Sequence, residues 1–322
     1  MFLLLKFTLL YAVVLMLVAL GGMFSERSGV INIALEGIMA IGGLAGVFVL
    51  SLCGGRMPAP ALVAVSILVS ALAGMLYSLL LGFSAITLKA DQTIGGTALN
   101  MMATAIAVVI TKAFNNSTEA GSGASSAKLT YDNSAFIYKI GPLTINIFLI
   151  IGIIILICAA IFLFKTKWGL RLRSCGEHPQ AADSVGINVY QWRYIGVMIS
   201  GALGGLGGFA YIVPSVTTWN FEVGVAGAGF LALAVMIFGQ WKPYRIAAAA
   251  VFFAVFRSLA NIADSTALSH LGLSKNIYSM MPFIASMIIL AFTSKNSQAP
   301  KAEGIYVWQI RLSLLWTGHH QA

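Results

Sequence analysis

The chain has 322 residues, of which 59% are hydrophobic and only 9% are charged. A water-soluble globular domain carries charges on roughly a quarter of its residues, so this composition excludes that class. The formal charge of +9 would suggest nucleic acid as a partner of a soluble protein. In a membrane protein, basic cytoplasmic loops explain the charge, and we expect contact with membrane lipid and no nucleic-acid partner.

Apolar runs long enough to cross a bilayer, about 20 residues each, predict an all-α polytopic membrane protein with about eight to ten transmembrane helices. The candidate runs are 2–23, 30–52, 60–86, 93–111, 144–164, 194–213, 224–240, 246–262 and 277–293. Because Gly and Pro interrupt several of them, we expect some helices to be broken or re-entrant. The first run lacks a small-residue cleavage site, which favours an uncleaved helix over a signal peptide. Residues 1–293 then form the transmembrane domain, and 294–322 form a cytoplasmic tail.

Polar residues interrupt the entry into the second run. Asn32 and Glu36 are four residues apart, so on a helix they would share one face. Ionisable groups at membrane depth are costly unless they face protein or a water-filled path. The pattern favours a polar stripe along a substrate path, and hydrogen bonds between helices remain the alternative.

A second polar stripe lies in the fourth run. Thr93, Thr97, Asn100 and Thr104 follow a 4-3-4 spacing, which places them on one helix face. Their hydroxyl and amide groups are suited to hydrogen-bond a sugar hydroxyl or a purine edge. The same spacing is equally typical of hydrogen bonds that join neighbouring helices.

Charge predicts which side of the membrane each loop occupies. The loop 165–193 carries five Lys and Arg residues against Glu177 and Asp183, which places it in the cytoplasm. The polar loop 113–143 then lies outside. Counting spans backward from this loop places the N-terminus outside, whereas Lys6 favours the inside, and the sequence leaves this conflict open.

Within the cytoplasmic loop, a short helix is predicted after Pro179, which suits a first helical position, and Gly186 ends it. Ala181, Ala182 and Val185 should share one side of this helix. Small side chains let another protein approach closely, so a protein partner is favoured over a helix that only lies on the membrane surface.

Two later stretches bear on packing and on the outer face. Gly201, Gly205 and Gly208 lie inside a span, where their spacing is typical of close helix packing and not of a nucleotide-binding loop. Trp219, Asn220 and Phe221 belong to an aromatic outer segment, which an interfacial aromatic belt or contact with an external binding protein would explain. The three cysteines and four histidines show no metal or disulfide spacing.

Three stretches together resemble one family. Glu177–Ile187 (EHPQAADSVGI) resembles the coupling-loop signature of permeases in ATP-binding-cassette (ABC) importers, in the branch for branched-chain amino acids, simple sugars and nucleosides. Gly29–Met39 (GVINIALEGIM) is similar to the second-helix motif of the nucleoside type. Gly227–Pro243 (GAGFLALAVMIFGQWKP) is similar to a late-helix motif, although Ala228 stands where the family usually has a basic residue, and the tail beyond Ala302 matches nothing expected there.

The resemblance implies a bacterial inner-membrane permease subunit that moves a small polar substrate, most readily a purine nucleoside, with riboflavin or a simple sugar as alternatives. It implies an ABC ATPase subunit docked at the coupling loop, a paralogous second permease subunit in a heterodimer, and an extracytoplasmic substrate-binding lipoprotein. The coupling residues would be Gly176, Glu177, Pro179, Ala181, Ala182, Asp183 and Gly186.

The chain lacks the G-x-x-x-x-G-K-[ST] loop that cradles ATP phosphates, so we expect no catalytic residue, cofactor or metal in this chain. ATP and Mg would bind the partner ATPase. An ion-coupled secondary transporter that uses Glu36 or Asp91 for protons remains the more distant alternative.

Overall fold

Helices dominate this computed structural model, which describes residues 2–118, 126–140, 143–262, 280–285, 287 and 299–305. The helices are α1 (Phe2–Arg27), α2 (Leu35–Cys53), α3 (Ala59–Gly82, extended by a π-helical turn Phe83–Thr87), α4 (Gln92–Thr118), α5 (Ile147–Lys165), α6 (Lys167–Glu177), α7 (Pro179–Ser184), α8 (Val189–Ile212), α9 (Ala228–Phe238) and α10 (Pro243–Ile262). Four short strands are β1 (Lys128–Thr130), β2 (Ile137–Ile140), β3 (Leu143–Asn146) and β4 (Thr218–Asn220).

In the described part of the chain, seven helices are long and apolar enough to cross a membrane, namely α1 to α5, α8 and α10. These confirm an all-α polytopic membrane protein. The candidate run 224–240 contains only the 11-residue helix α9, which at 1.5 Å per residue reaches about half of a 30 Å hydrocarbon core. The run 277–293 lies mostly outside the described residues.

The centre of the protein is formed by α1 and α8. Most side chains from Leu10 to Phe24 in α1 are buried, and α8 packs against α1, α2 and α3. Removal of α1 would leave a large hole in this core, and the absence of cleavage stays a prediction.

Glycines allow α2, α3 and α8 to approach closely. A Cβ atom built on Gly42 would lie 2.2 Å from Gly205 Cα, and one built on Gly74 would lie 2.3 Å from the carbonyl oxygen of Gly201. Gly208 likewise meets the backbone of Met39. The predicted close packing through Gly201, Gly205 and Gly208 is therefore confirmed.

The C-terminal ends of α1 and α6 lie side by side. Arg27, at the end of α1, forms an ion pair with Glu177, at the end of α6, with 3.4 Å between Nη1 and Oε1. If the basic loop 165–193 is cytoplasmic, α1 ends in the cytoplasm and its N-terminus lies on the opposite side. The side of the N-terminus thus follows from the predicted side of the loop 165–193, and both stay predictions.

On the opposite face, two loops that are distant in sequence are joined by a small sheet. Strand β1 pairs antiparallel with β4, and β2 with β3. The predicted outer loop 113–143 is shorter than expected, because α4 continues to Thr118, and the loop 165–193 is mostly helical, because α6, α7 and the start of α8 occupy it.

The glycine packing predicts that Gly205→Ala destabilises the protein. Its Cβ would lie 2.5 Å from the carbonyl oxygen of Ser70 and 3.0 Å from Gly74 Cα, and backbone atoms cannot turn aside as a side chain can. We expect a loss of about 1–3 kcal/mol, measured as a lower thermal midpoint of the purified protein in detergent. Gly95→Ala is the control, because its nearest neighbour is the side chain of Ser84. Equal midpoints for the two variants would contradict the packing argument.

Candidate functional site

An unwound segment, residues 28–34, separates α1 from α2. The chain turns back beside α8, where Asn32 contacts Ser200 in the middle of that helix, so α2 begins well inside the protein. Non-helical backbone at membrane depth is tolerated only when it is buried and hydrogen-bonded. Ser28, Val30, Asn32 and Ala34 meet the first condition, since all are fully buried.

Side-chain amides of α4 meet the second condition. Gln92 Oε1 accepts a hydrogen bond from the Ile31 N–H at 2.7 Å. Asn100 Nδ2 donates to the carbonyl of Ile33 at 2.9 Å, and Asn100 Oδ1 accepts from the Gly37 N–H at 2.7 Å. Asn100, which was predicted to line the substrate path, thus uses both its amide nitrogen and its amide oxygen to stabilise the unwound segment and the start of α2. Gln92 has the same role, which sequence reasoning missed because its partner is a backbone group 61 residues away.

Glu36 connects α2 with the half-length helix α9. Its Oε1 accepts from the Gly227 N–H at 2.8 Å and its Oε2 from the Gly229 N–H at 2.7 Å. Gly227 has a left-handed φ of +76°, which favours glycine and turns the chain into α9. The first N–H groups of a helix have no partner within the helix, and its N-terminus carries partial positive charge, so a carboxylate is a suitable cap there.

The two helices begin at the same place and run in opposite directions. α2 begins at Leu35 and runs away from Arg27, while α9 ends at Phe238, shortly before Trp241, whose carbonyl accepts from Arg27. Both N-termini therefore meet at Glu36, near the middle of the membrane. Arg257 of α10 lies close enough for its charge to act on Glu36, and its Nη2 donates to the carbonyl of Ala226 at 3.4 Å.

This geometry corrects one prediction about the first polar stripe. Asn32 and Glu36 do not share a helix face, because the helix begins only at Leu35. Asn32 points to α8, where its Nδ2 donates to Ser200 Oγ at 2.8 Å, whereas Glu36 points to α9. Asn32 Oδ1 is fully buried and has no hydrogen-bond partner.

The four residues of the second polar stripe differ in how far they are buried. Asn100 is buried, Thr104 is half-buried, and Thr93 and Thr97 are exposed. The hydroxyls of Thr97 and Thr104 donate to carbonyls one turn earlier in α4. Thr93 and Thr97 are thus the members of the stripe that a substrate could meet on the surface of this subunit, and their role in the path stays a prediction.

The predicted coupling segment forms the short helix α7, with Pro179 in its first turn and Gly186 just beyond it at a φ of +81°. Both helix boundaries agree with the prediction. One expectation about its faces is wrong: Ala182 is only 2% exposed and packs in the core beside α8, so it does not share the exposed side of the helix. Ala181, Asp183 and Gly186 are exposed, and the Val185 side chain is 73% exposed.

The other predicted coupling residues connect α7 to the transmembrane helices. Gly176 is buried against α1, where an added Cβ would lie 2.3 Å from the carbonyl oxygen of Arg27, and Pro179 is also buried. Glu177 forms its ion pair with Arg27, and the Arg27 guanidinium also donates to the carbonyl of Trp241, just beyond α9, at 3.1 Å. The indole of Trp241 in turn donates to Glu26 Oε2 at 2.5 Å.

Cys175 lies beside these contacts, at the end of α6, and its side chain is fully buried. Burial raises the pKa of its thiol to about 11, so the thiol stays protonated at neutral pH and is a poor nucleophile. Cys175 is thus a packing residue, whereas Cys158 is exposed.

The predicted outer contact residues differ in accessibility. Phe221 is 1% exposed and belongs to the core, so in this conformation only Trp219 and Asn220 are partly exposed. Asn220 Oδ1 accepts from the Glu222 N–H, and Glu222 forms an ion pair with Lys112 of α4 at 3.1 Å. The Lys112 ammonium and the Asn220 amide lower the pKa of Glu222.

Within the described ranges, no group of three or more His, Cys, Asp or Glu side chains could hold a metal ion.

Comparison with known proteins adds an independent line of observation. The sequence model of a family described as "Branched-chain amino acid transport system / permease component" matches residues 4–292. The chain is 38% identical over 305 residues to the nucleoside ABC transporter permease protein NupC of Lactococcus lactis, covering 92% of this chain and 94% of that protein. It is 40% identical over 306 residues to the guanosine ABC transporter permease protein NupQ of Bacillus subtilis, with the same coverage.

A second L. lactis protein matches over a shorter region. The nucleoside ABC transporter permease protein NupB is 33% identical over 115 residues, which is 36% of this chain and 32% of that protein.

The junction of α2 and α9 predicts that Glu36 is needed for stability. Glu36→Ala would leave two partly buried N–H groups without this partner, at up to about 1–3 kcal/mol each. Glu36→Gln keeps one acceptor oxygen and should cost less. We expect thermal midpoints in detergent to fall in the order wild type, Gln, Ala. Glu222→Ala removes an exposed carboxylate and should change the midpoint little; a Glu36→Ala midpoint as high as that control would contradict the capping role.

Proposed function

The chain belongs to the branched-chain amino acid transport system permease family, and from this membership we propose that it is the membrane-spanning permease subunit of an ABC importer for a purine nucleoside. The observation that carries the proposal is the similarity to a nucleoside and a guanosine permease at 38% and 40% identity over 92% of the chain. Membership in this family makes it a multi-pass protein of the cytoplasmic membrane.

The coupling surface for the ATPase is the exposed side of α7. Val185 is an apolar side chain at the tip of a helix that projects from the predicted cytoplasmic face, with Ala181 and Ser184 exposed beside it. An exposed apolar side chain framed by small and polar groups is suited to enter a groove on a protein partner. Gly176, Pro179 and Ala182 support this surface from behind through their contacts with α1 and α8.

A displacement of α7 has a short route to the centre of the membrane. Glu177 forms an ion pair with Arg27, and the Arg27 guanidinium donates to the carbonyl of Trp241. Trp241 lies just past the end of α9. The other end of α9 is held by Glu36. ATP-driven movement of α7 would therefore reach α9 and the start of α2, and transport requires that the ATPase bind the alternative conformations with different free energies.

We propose a second permease subunit as the partner within the membrane. The partial similarity to NupB, a second permease from the organism that contains NupC, supports a paralogous partner and hence a heterodimer. We further propose an extracytoplasmic binding lipoprotein that delivers substrate to the outer face, where β1, β4 and the segment with Trp219 and Asn220 lie. ATP and Mg would bind the separate ATPase subunit.

The exposed coupling surface predicts that Val185→Glu disrupts docking of the ATPase. A carboxylate placed in an apolar groove loses hydration without gaining a partner, so we expect recovery of the ATPase with the affinity-purified permease to fall by about tenfold or more. Val216→Glu is the matched control, because Val216 is also an exposed valine but lies beyond the opposite end of α8.

Equal recovery of the ATPase with both glutamate variants would contradict this coupling surface. Ala182→Glu is less informative, because a buried carboxylate at that position would disturb the packing of α7 on α8.

The substrate is tested by uptake of radiolabelled guanosine into cells that carry the complete importer. We expect an excess of unlabelled guanosine or adenosine to reduce uptake at least tenfold, while riboflavin and glucose leave it unchanged. Competition by riboflavin or glucose in place of the nucleosides would move the substrate to one of those classes. Guanosine uptake that persists in an ATPase-deleted strain and requires a proton gradient would favour the secondary transporter.

A further inference from the structure

The chain segment 300–305, here called the tail strap, returns to the cytoplasmic ends of three helices. Its Ala302 N–H donates to the carbonyl of Gly176 at 2.8 Å, and its Gly304 N–H donates to the carbonyl of Gly29 at 3.2 Å. Arg193 Nη1, from α8, donates to the carbonyl of Ile305 at 3.0 Å. The strap therefore forms hydrogen bonds to α6, to the start of the unwound segment and to α8.

The strap is shaped for this position. Pro300 and Ala302 are buried. Gly304 has a φ of +73°, and an added Cβ would lie 2.9 Å from Ile31 Cδ1. Other side chains at Gly304 would therefore strain the backbone and require the Ile31 side chain to move. A mobile tail that only passes over the surface would need neither of these features.

We propose that the tail strap is a positioning element for transport, which ties the coupling helices to the unwound segment so that movement of α6 and α7 is passed to residues 28–34. This inference rests on the proposed function. The two strap bonds to Gly176 and Gly29 are made by residues only two positions apart, a span of about 7 Å. The strap therefore reinforces a direct contact between these backbones, since a Cβ on Gly176 would lie 3.3 Å from the Gly29 nitrogen. Gly176 lies in α6 directly before the coupling helix, and Gly29 lies directly before the segment that leads to Glu36.

A carboxyl pair makes this docking depend on protons. The Glu303 carboxyl lies near enough to the buried carboxyl of Glu26 for the two to interact, and Glu303 Oε2 is buried without a hydrogen-bond partner. Two such carboxyls can share a hydrogen bond only while one of them is protonated. Among the described residues, the Trp241 indole donates to Glu26, and the charged groups on the adjoining elements are the Arg193 guanidinium, which bonds Ile305, and the ion pair between Arg27 and Glu177.

The sign of the pH dependence follows from burial. Burial of the docked strap raises the pKa of Glu303 from 4.5 to about 7. The docked state therefore holds a proton more tightly than the released state, so docking is strongest below pH 4.5 and weakens as the pH rises through about 7. Glu303→Gln keeps a hydrogen-bond donor at every pH and should remove this dependence.

Docking can be measured on the purified full-length chain by limited trypsin digestion. Lys301 is exposed, whereas Ala302 on the other side of the scissile bond is buried, so the docked strap protects this bond. We expect Gly304→Val to increase the cleavage rate after Lys301 by about fivefold or more. Ala299→Val, an exposed position just before the strap, is the matched control and should be cleaved at the wild-type rate.

The same digestion tests the pH dependence. The ratio of the wild-type cleavage rate to the Glu303→Gln cleavage rate should rise several-fold between about pH 6 and pH 8.

Coupling is then measured on the complete importer in lipid nanodiscs, as stimulation of ATP hydrolysis by the guanosine-loaded binding protein. We expect Gly304→Val to assemble and to retain basal hydrolysis, but to lose about fivefold or more of the stimulation that wild type and Ala299→Val show. Unchanged cleavage, unchanged stimulation, or loss of the assembled complex in Gly304→Val would each overturn the inference.

The two hypotheses fail in different ways. If guanosine does not stimulate the wild-type complex, the proposed substrate is wrong, and the cleavage rates still decide whether the strap docks as described.

Discussion

The carboxylate of Glu36 holds together the part of the structure on which the rest depends. Inside a membrane, every backbone N–H and carbonyl needs a partner within the protein, and two helices that begin near the membrane centre each expose unpaired N–H groups there. Glu36 lies in the first turn of α2 and accepts hydrogen bonds from the first turn of α9. Glu36 therefore satisfies the start of α9, while Asn100 accepts from the Gly37 N–H at the start of α2.

The broken helices also explain why α9 is suited to transmit movement. α9 is short and packs along its length against α1, α2 and α10, and polar contacts mark both of its ends. Glu36 holds the N-terminal end, and the contacts of Arg27 and Glu26 with Trp241 hold the region just beyond the C-terminal end. A change at the coupling helix, which reaches Arg27 through Glu177, is thus connected to the membrane centre by a few polar contacts.

Close glycine packing supplies the rigid frame around this connection. Gly42 and Gly74 allow α2 and α3 to contact the backbone of α8 near Gly205, and dispersion contacts between backbones replace the hydrophobic effect that is absent between helices in lipid. Most polar side chains that looked suited to a substrate path serve this frame in the observed conformation. Asn32 bonds α8 and Asn100 bonds the unwound segment, which leaves Thr93 and Thr97 on the exposed surface of the subunit.

The sequence by itself determined the membrane class, most of the spans, the start and end of the coupling helix and the packing role of the α8 glycines. These follow from composition, from apolar length and from local rules for Pro and Gly, which depend only on neighbours in the chain. Tertiary structure alone decided that Ala182 faces α8, that Asn32 and Glu36 point to different helices, and that residues 300–305 bind beside Gly176 and Gly29. Each of these depends on a partner many residues away, and helix periodicity cannot predict where a helix is broken when the groups that satisfy its free backbone come from another helix.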